Sequence, residues 1–313
     1  LYNNLIVDCN NLFWRTVCTS IKDVTKVDGA QIYSSVLVNF LDRIKELKRQ
    51  FLSENGKMYL LFDNPTSTIK LRKLIDESYK HSRTDKDVPK AFWDTLFILQ
   101  EVLKVYENDY IIVRADSCEA DDLVVNVLKR CEGKSLLVSA DLDWARSISK
   151  SSEKEVVWFN FHDQYTLEFF NMKYGFYPDG NKIKIYKAIR GDKSDCIEAS
   201  LPHIPEATVI HLLENYGDVE DIIKNVCKDD QVNSTWKTRI KDNWQKLTMN
   251  YQLVDFIDVP DSEIKFIECT YVLSGLKIWY RMLDMPFEAR MITEKSEKKM
   301  FFAKKKLTRA KQY

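Results

Sequence analysis

Acidic side chains recur in this sequence where apolar, strand-like runs stop. Leu5-Ile6-Val7 ends at Asp8, and Tyr59-Leu60-Leu61-Phe62 ends at Asp63. Ile111-Ile112-Val113 leads to Glu119, Asp121 and Asp122, and Leu136-Leu137-Val138 leads to Asp141 and Asp143. Gly191-Asp192-Lys193-Ser194-Asp195 adds two more. In an open α/β sheet, chemistry gathers outside the carboxyl ends of the parallel strands. Nine carboxylates converging on one crevice repel one another unless hard divalent cations neutralise them. The residue types therefore point to a Mg²⁺ site and to phosphodiester chemistry. Two such ions about 3.5–4 Å apart clamp a scissile phosphate, one acidifying a water and the other stabilising the leaving oxygen. Mg²⁺ takes only a few carboxylates directly, so surplus acids would orient its waters.

Each acid taken alone has a plainer explanation. An Asp after a strand often caps the next helix, and acids in a first turn favour the helix dipole. The set is harder to explain that way. Glu119-Ala120-Asp121-Asp122 puts three acids in one turn, more than a cap needs, and Asp141-Leu142-Asp143 puts two at one strand end.

The elements that must position these acids alternate between strand and helix in the first half. Residues 5–8, 57–62, 110–113, 135–139 and 156–159 read as strands. Residues 30–52, 88–105 and 119–131 read as helices, the first with Ile32, Val36, Phe40, Ile44, Leu47 and Phe51 at helical spacing. This alternation predicts an α/β fold with a mostly parallel central sheet flanked by helices. After about residue 162 the pattern turns helical, with helices over 163–174, 180–190, 205–216, 218–227 and a longer one over 234–254. The expected division is an α/β core over 1–162, a helical region over 163–294 and a basic tail over 295–313. That tail carries eight Lys or Arg and one Glu.

Composition sets the bounds. The 313 residues suit one large domain or two modest ones. No run approaches the roughly 20 apolar residues of a membrane span, and no leader-like segment opens the chain. Seven scattered cysteines without a CxxC pair predict reduced thiols and a cytoplasmic setting, and four dispersed histidines argue against a His-rich metal site. Net charge is zero, but setting nine of the 47 acids aside leaves 38 against 47 Lys and Arg. A basic surface around an acidic hole suits a polyanionic substrate.

Six motifs in order carry a resemblance. Leu5-Ile6-Val7-Asp8, Leu61-Phe62-Asp63, Tyr79-Lys80-His81-Ser82-Arg83, Glu119-Ala120-Asp121-Asp122, Ser139-Ala140-Asp141-Leu142-Asp143 and Gly191-Asp192-Lys193-Ser194-Asp195 resemble the 5′-nuclease (flap endonuclease) superfamily. The resemblance implies a PIN/Rossmann-like core followed by a helix-three-turn-helix-type region that grips duplex DNA. It implies two Mg²⁺ ions, with Mn²⁺ as a substitute. Asp8, Asp63, Glu119 and Asp121 would surround the first ion; Asp141, Asp143, Asp192 and Asp195 the second; and Asp122 would support either. Lys80 and Arg83 would touch the scissile phosphate and Tyr79 would stack on a base, at an arch or gate near 79–95 that continues through Lys86 and Lys90. Lys187, Arg190 and Lys193 would add phosphate contacts.

The implied substrates are DNA with 5′ flaps, nicks or gaps and RNA–DNA hybrids, handled by a monomer, with a sliding clamp or single-strand-binding protein as partner of the tail. If the chain is phage-encoded, the setting is the host cytoplasm. One departure is local: at Leu201-Pro202-His203-Ile204-Pro205-Glu206-Ala207-Thr208, His203 and Pro205 stand where the family has glycines, and Ala207 where it has Lys. Two other readings remain. One is a branched-DNA binder without catalysis, disfavoured because a pure binder gains nothing from crowded carboxylates. The other is a phosphatase using Asp8-Cys9-Asn10, disfavoured because Asn10 cannot transfer a proton.

Overall fold

The computed structural model describes residues 1–27, 29–63, 72–80, 88–116 and 118–283. The chain forms two compact units that are discontinuous in sequence. The described residues of the first fall within 1–12, 48–87 and 113–266, and those of the second within 13–47, 88–112 and 267–313.

The first unit holds the sheet. Strands β1 (Tyr2–Asp8), β4 (Leu52–Leu61), β6 (Gly133–Val138) and β8 (Lys154–Phe159) lie in the order β4-β1-β6-β8, and all three pairings are parallel. Phe62 N–H donates to the Val113 carbonyl of β5 (Tyr110–Ala115) beyond β4. The short β7 (Ser149–Lys150) and β9 (Gln164–Tyr165) pair antiparallel with β8. Leu5, Ile6, Val7, Leu60, Leu61, Leu136, Leu137 and Val138 are buried without alternation, as expected for parallel strands covered on both faces.

Register aligns the strand ends. Asp8 pairs with Leu61, two residues before Asp63, and Val7 pairs with Val138, three before Asp141. The chain moves outward from β1 to β4, then returns to β6 on the other side of β1. That reversal opens a crevice at the carboxyl ends, where open α/β sheets bind ligands.

The helices of this unit pack on that frame. Helix α4 (Ala120–Lys129) starts at Glu119, where a capping box forms with Asp122. Later come α5 (Leu167–Tyr174), α6 (Gly180–Arg190), α7 (Glu206–Asn215) and α8 (Val219–Asn225). The expected long helix over 234–254 is two, α9 (Ser234–Asp242) and α10 (Trp244–Leu253). They part at Asn243, whose side chain donates to the Arg239 carbonyl at 2.8 Å and so competes with the helical backbone. Strand β10 (Ile264–Glu268) was not expected from the sequence.

In the second unit, the helix expected over 30–52 begins later, as α2 (Ser34–Phe51), because 24–33 forms a hairpin of β2 (Val24–Val27) and β3 (Ala30–Tyr33). Asp28-Gly29 between Val24-Thr25-Lys26-Val27 and Ala30-Gln31-Ile32-Tyr33 was the overlooked signal. Helix α3 (Lys90–Leu103) follows Pro89 as expected, and its Thr95 hydroxyl accepts from Tyr33 N–H. Among the described residues no helix is long and apolar enough to cross a membrane. None of the seven cysteines forms a disulfide.

Candidate metal centre

Every described acid named above lies in the first unit. Asp8 is 6% exposed, and its two oxygens have separate duties. Oδ1 accepts from Asn11 N–H at 2.9 Å, capping α1 (Cys9–Thr19), while Oδ2 accepts from the Ser139 hydroxyl at 2.8 Å. Asp63 N–H donates to Asn10 Oδ1 at 3.1 Å, and Asp63 Oδ1 accepts from Ala120 N–H at 2.8 Å. Asp141 caps a short 3₁₀ turn, Leu142–Ser147, through Asp143 N–H. Capping and clustering thus occur together: in Asp8, Asp63 and Asp141 one carboxylate oxygen accepts from a backbone N–H.

Asp121, Asp141 and Asp143 each place an oxygen within 4.8 Å of the others. Asp121 Oδ1 accepts from Trp144 Nε1 at 2.6 Å, which fixes its rotamer. Asp143 is 7% exposed, and its Oδ1 is a buried acceptor with no hydrogen-bond partner. An orphaned, buried carboxylate oxygen amid acids is costly unless a cation meets it. The titration behaviour agrees. Burial, then the charges of Asp141, Asp8, Asp143 and Asp63, push Asp121 well above the usual carboxylate range. Burial and the neighbouring Asp63 push Asp8 up to about 7. Asp143 rises to about 6 through burial, although Lys187 pulls the other way. The donors are all hard oxygens, which fits Mg²⁺ or Mn²⁺ rather than a soft-ligand site.

Other acids carry built-in counter-charges. Arg72, which sequence reasoning missed, pairs with Glu119, donates to Asp122 Oδ1 at 3.0 Å and to the Asp255 carbonyl at 2.9 Å. No sequence motif marked it. Lys80 Nζ lies 2.5 Å from Glu119 Oε1 and 3.4 Å from Asp195 Oδ1. Lys187 Nζ lies 2.5 Å from both Asp143 Oδ2 and Asp192 Oδ2 and 3.6 Å from Asp141 Oδ1. Despite burial, it holds Asp192 down to about 2. Asp121 associates with Asp141 and Asp143, while Glu119 and Asp122 face Arg72.

Asp192 and Asp195 are placed by a tight loop. Asp192 and Ile197 exchange backbone hydrogen bonds of 2.7 and 2.8 Å. Gly191 sits at φ +76°, and a Cβ there would come within 2.5 Å of Ala199 N and Ile197 O. Only glycine fits this close approach.

Several nucleic-acid contacts expected from the sequence take another form. Tyr79 is 2% exposed and packs with Ile197, Leu253 and Val254, its hydroxyl donating to Asp195 at 3.3 Å, so it offers no face for stacking. Lys187 is 4% exposed and committed to three aspartates, so it presents no surface charge to a phosphate. Lys80 is likewise buried against acids. Arg190 pairs with Glu206 and donates to the Ile204 carbonyl. Lys193 is exposed. Lys90 belongs to the second unit, where it pairs with Asp94. Arg83, Lys86 and the tail lie outside the described residues, as does the centre of the expected arch. At the glycine-poor turn, His203 adopts φ +65°, the left-handed conformation a glycine would supply.

Residues 3–175 match the 5′-3′ exonuclease N-terminal, resolvase-like domain family, and the chain belongs to that family. It is 27% identical over 246 residues to DNA polymerase I of Synechocystis sp., covering 74% of this chain and 23% of the polymerase. It is 28% identical over 186 residues to the 5′-3′ exonuclease of Aquifex aeolicus, covering 58% of each. The matched region thus spans under a quarter of that polymerase and just over half of that exonuclease. The fold is shared with the T5 D15 protein co-crystallised with metal ions (TM-score 0.60, 19% identity, 93% of this chain and 99% of that one). It is shared too with the T5 D15 flap endonuclease in complex with DNA and metal ions (TM-score 0.58, 19% identity, the same coverage).

Proposed function

We propose that this chain is a Mg²⁺-dependent 5′ nuclease that hydrolyses phosphodiesters at 5′ flaps, nicks and RNA–DNA hybrids. The observation that carries the reading is the convergence of Asp121, Asp141 and Asp143, with the orphaned Asp143 oxygen, at the carboxyl ends of a parallel sheet. Membership of a 5′-3′ exonuclease family supplies the reaction class. Asp8, Asp63, Asp121, Asp141 and Asp143 would hold the metal, Asp192 would join Asp141 and Asp143 at a second position, and Glu119, Asp122 and Asp195 would serve as outer acceptors. When bound, a divalent ion neutralises phosphate charge and acidifies water. The chain's own residues do the positioning. Ser139 and Asn11 orient Asp8, Trp144 orients Asp121, and Arg72 pairs with Glu119 and Asp122 and holds them in place.

We further infer, from a motif order that resembles the RNase H of T-even bacteriophages, that the substrate in the cell is an RNA primer on replicating phage DNA. The test is a labelled 5′-flap duplex and a matched RNA–DNA hybrid, each incubated with protein and either Mg²⁺ or EDTA and resolved on a denaturing gel. Metal-dependent products at or near the junction support the reading. Retained binding without cleavage in Mg²⁺ or Mn²⁺ would point instead to a branched-DNA binder.

A further inference from the structure

Lys187 lies on α6, whose end is tied down by Asn250 Nδ2 donating to the Ala188 carbonyl at 3.0 Å and to the Glu198 carbonyl at 2.8 Å. Its ammonium is buried among Asp141, Asp143 and Asp192. Asp141 and Asp143 also belong to the oxygen cluster with Asp121. Two cation positions therefore stand side by side and share two carboxylates. At one, Asp143 Oδ1 has no partner. At the other, Asp143 Oδ2 and Asp192 Oδ2 are both held by Lys187. A divalent ion entering the second position needs the oxygens that the lysine occupies.

We propose that Lys187 is a resident counter-cation of the second position, so that the crevice takes one divalent ion readily and a second only by displacing the lysine. This rests on the reading of the crevice as a metal centre. It has a consequence for the substrate. An ammonium expelled by the second ion moves from a saturated acidic pocket toward the mouth of the crevice. There it becomes a phosphate donor only when both ions are in place. Lysine is suited to this, being a compact charge on a flexible stem.

The test is a titration of metal-free protein with Mn²⁺, following the electron paramagnetic resonance signal of the free ion, on wild type and Lys187→Met. Wild type is expected to take one ion tightly and a second at least about tenfold more weakly, within the range by which neighbouring groups alter metal affinity. Lys187→Met, similar in length and uncharged, is expected to close that gap. In parallel, mass spectrometry after treatment with an amine-modifying reagent reads Lys187 in the unaltered protein. It should stay protected through the first ion and become reactive with the second. That measurement decides the matter if the Met variant does not fold. Two equally tight ions in wild type with Lys187 still protected would overturn the proposal and leave the metal reading intact. No bound Mn²⁺ at all would overturn both.

Discussion

Replacing Asp121 with Asn in metal-free protein should flatten the dependence of stability on pH. In the folded chain Asp8 titrates near 7 and Asp143 near 6, and Asp121 lies well above its ordinary range. In the unfolded chain each returns to 3.8. The folded state then holds more protons than the unfolded state between those values, so stability falls as pH rises through that window. For Asp8 the loss between pH 5 and 8 is about 3 kcal/mol, and for Asp143 about 1 kcal/mol, at roughly 1.4 kcal/mol per pH unit. The groups repel one another, so these two contributions overlap and together amount to about 2–4 kcal/mol, to which Asp121 adds in the same direction. Asp192, held near 2, adds nothing to this window, because its stabilisation is complete above the ordinary carboxylate range.

Asp121→Asn keeps the Trp144 Nε1 hydrogen bond through its own oxygen and removes one repelling charge. The assay is urea denaturation at pH 5 and 8 in EDTA, repeated in Mg²⁺. Wild type should be less stable at pH 8 than at pH 5 in EDTA, and Mg²⁺ should restore stability most at pH 8. The Asn variant should lose less stability between the two pH values and respond less to Mg²⁺. Stability that rises from pH 5 to 8 without metal, or a variant with an unchanged slope, would refute the reasoning.

Three further outcomes are expected. Arg72→Met leaves Glu119 and Asp122 buried without that partner, and urea denaturation should show a loss of about 3–5 kcal/mol. Ser139→Ala removes the 2.8 Å hydrogen bond to Asp8 Oδ2. The pH midpoint for Mg²⁺ binding, followed by calorimetry, should move upward because the ionised form loses a donor. Gly191→Ala forces a Cβ into Ile197 O and Ala199 N, and thermal unfolding should show a loss of about 1–3 kcal/mol from backbone strain alone.

The acids were legible because chemistry and position coincide: strand-like runs ending in Asp8, Asp63 and Asp141 announce both a parallel sheet and its carboxyl-end crevice. The central strands and the helices at 90–103 and 180–190 followed from periodicity and from Pro89. The counter-charges were not legible. Nothing local distinguishes Arg72 or Lys187 from surface cations, and only tertiary packing buries them among acids. Tyr79 and Lys80 were assigned to substrate by motif, whereas burial turns them toward Asp195 and Glu119. Asn243 split a helix because its side-chain hydrogen bond competes with the backbone, an effect that apolar spacing does not register.

The central claim is that these acids form a divalent-metal centre built around Asp121, Asp141 and Asp143. Crystals soaked in Mn²⁺, with diffraction recorded near the manganese absorption edge, test it most directly. The account predicts an anomalous peak bounded by oxygens of those three residues, lost in Asp121→Asn. A fully occupied peak elsewhere in the molecule, with none at this cluster, would contradict it.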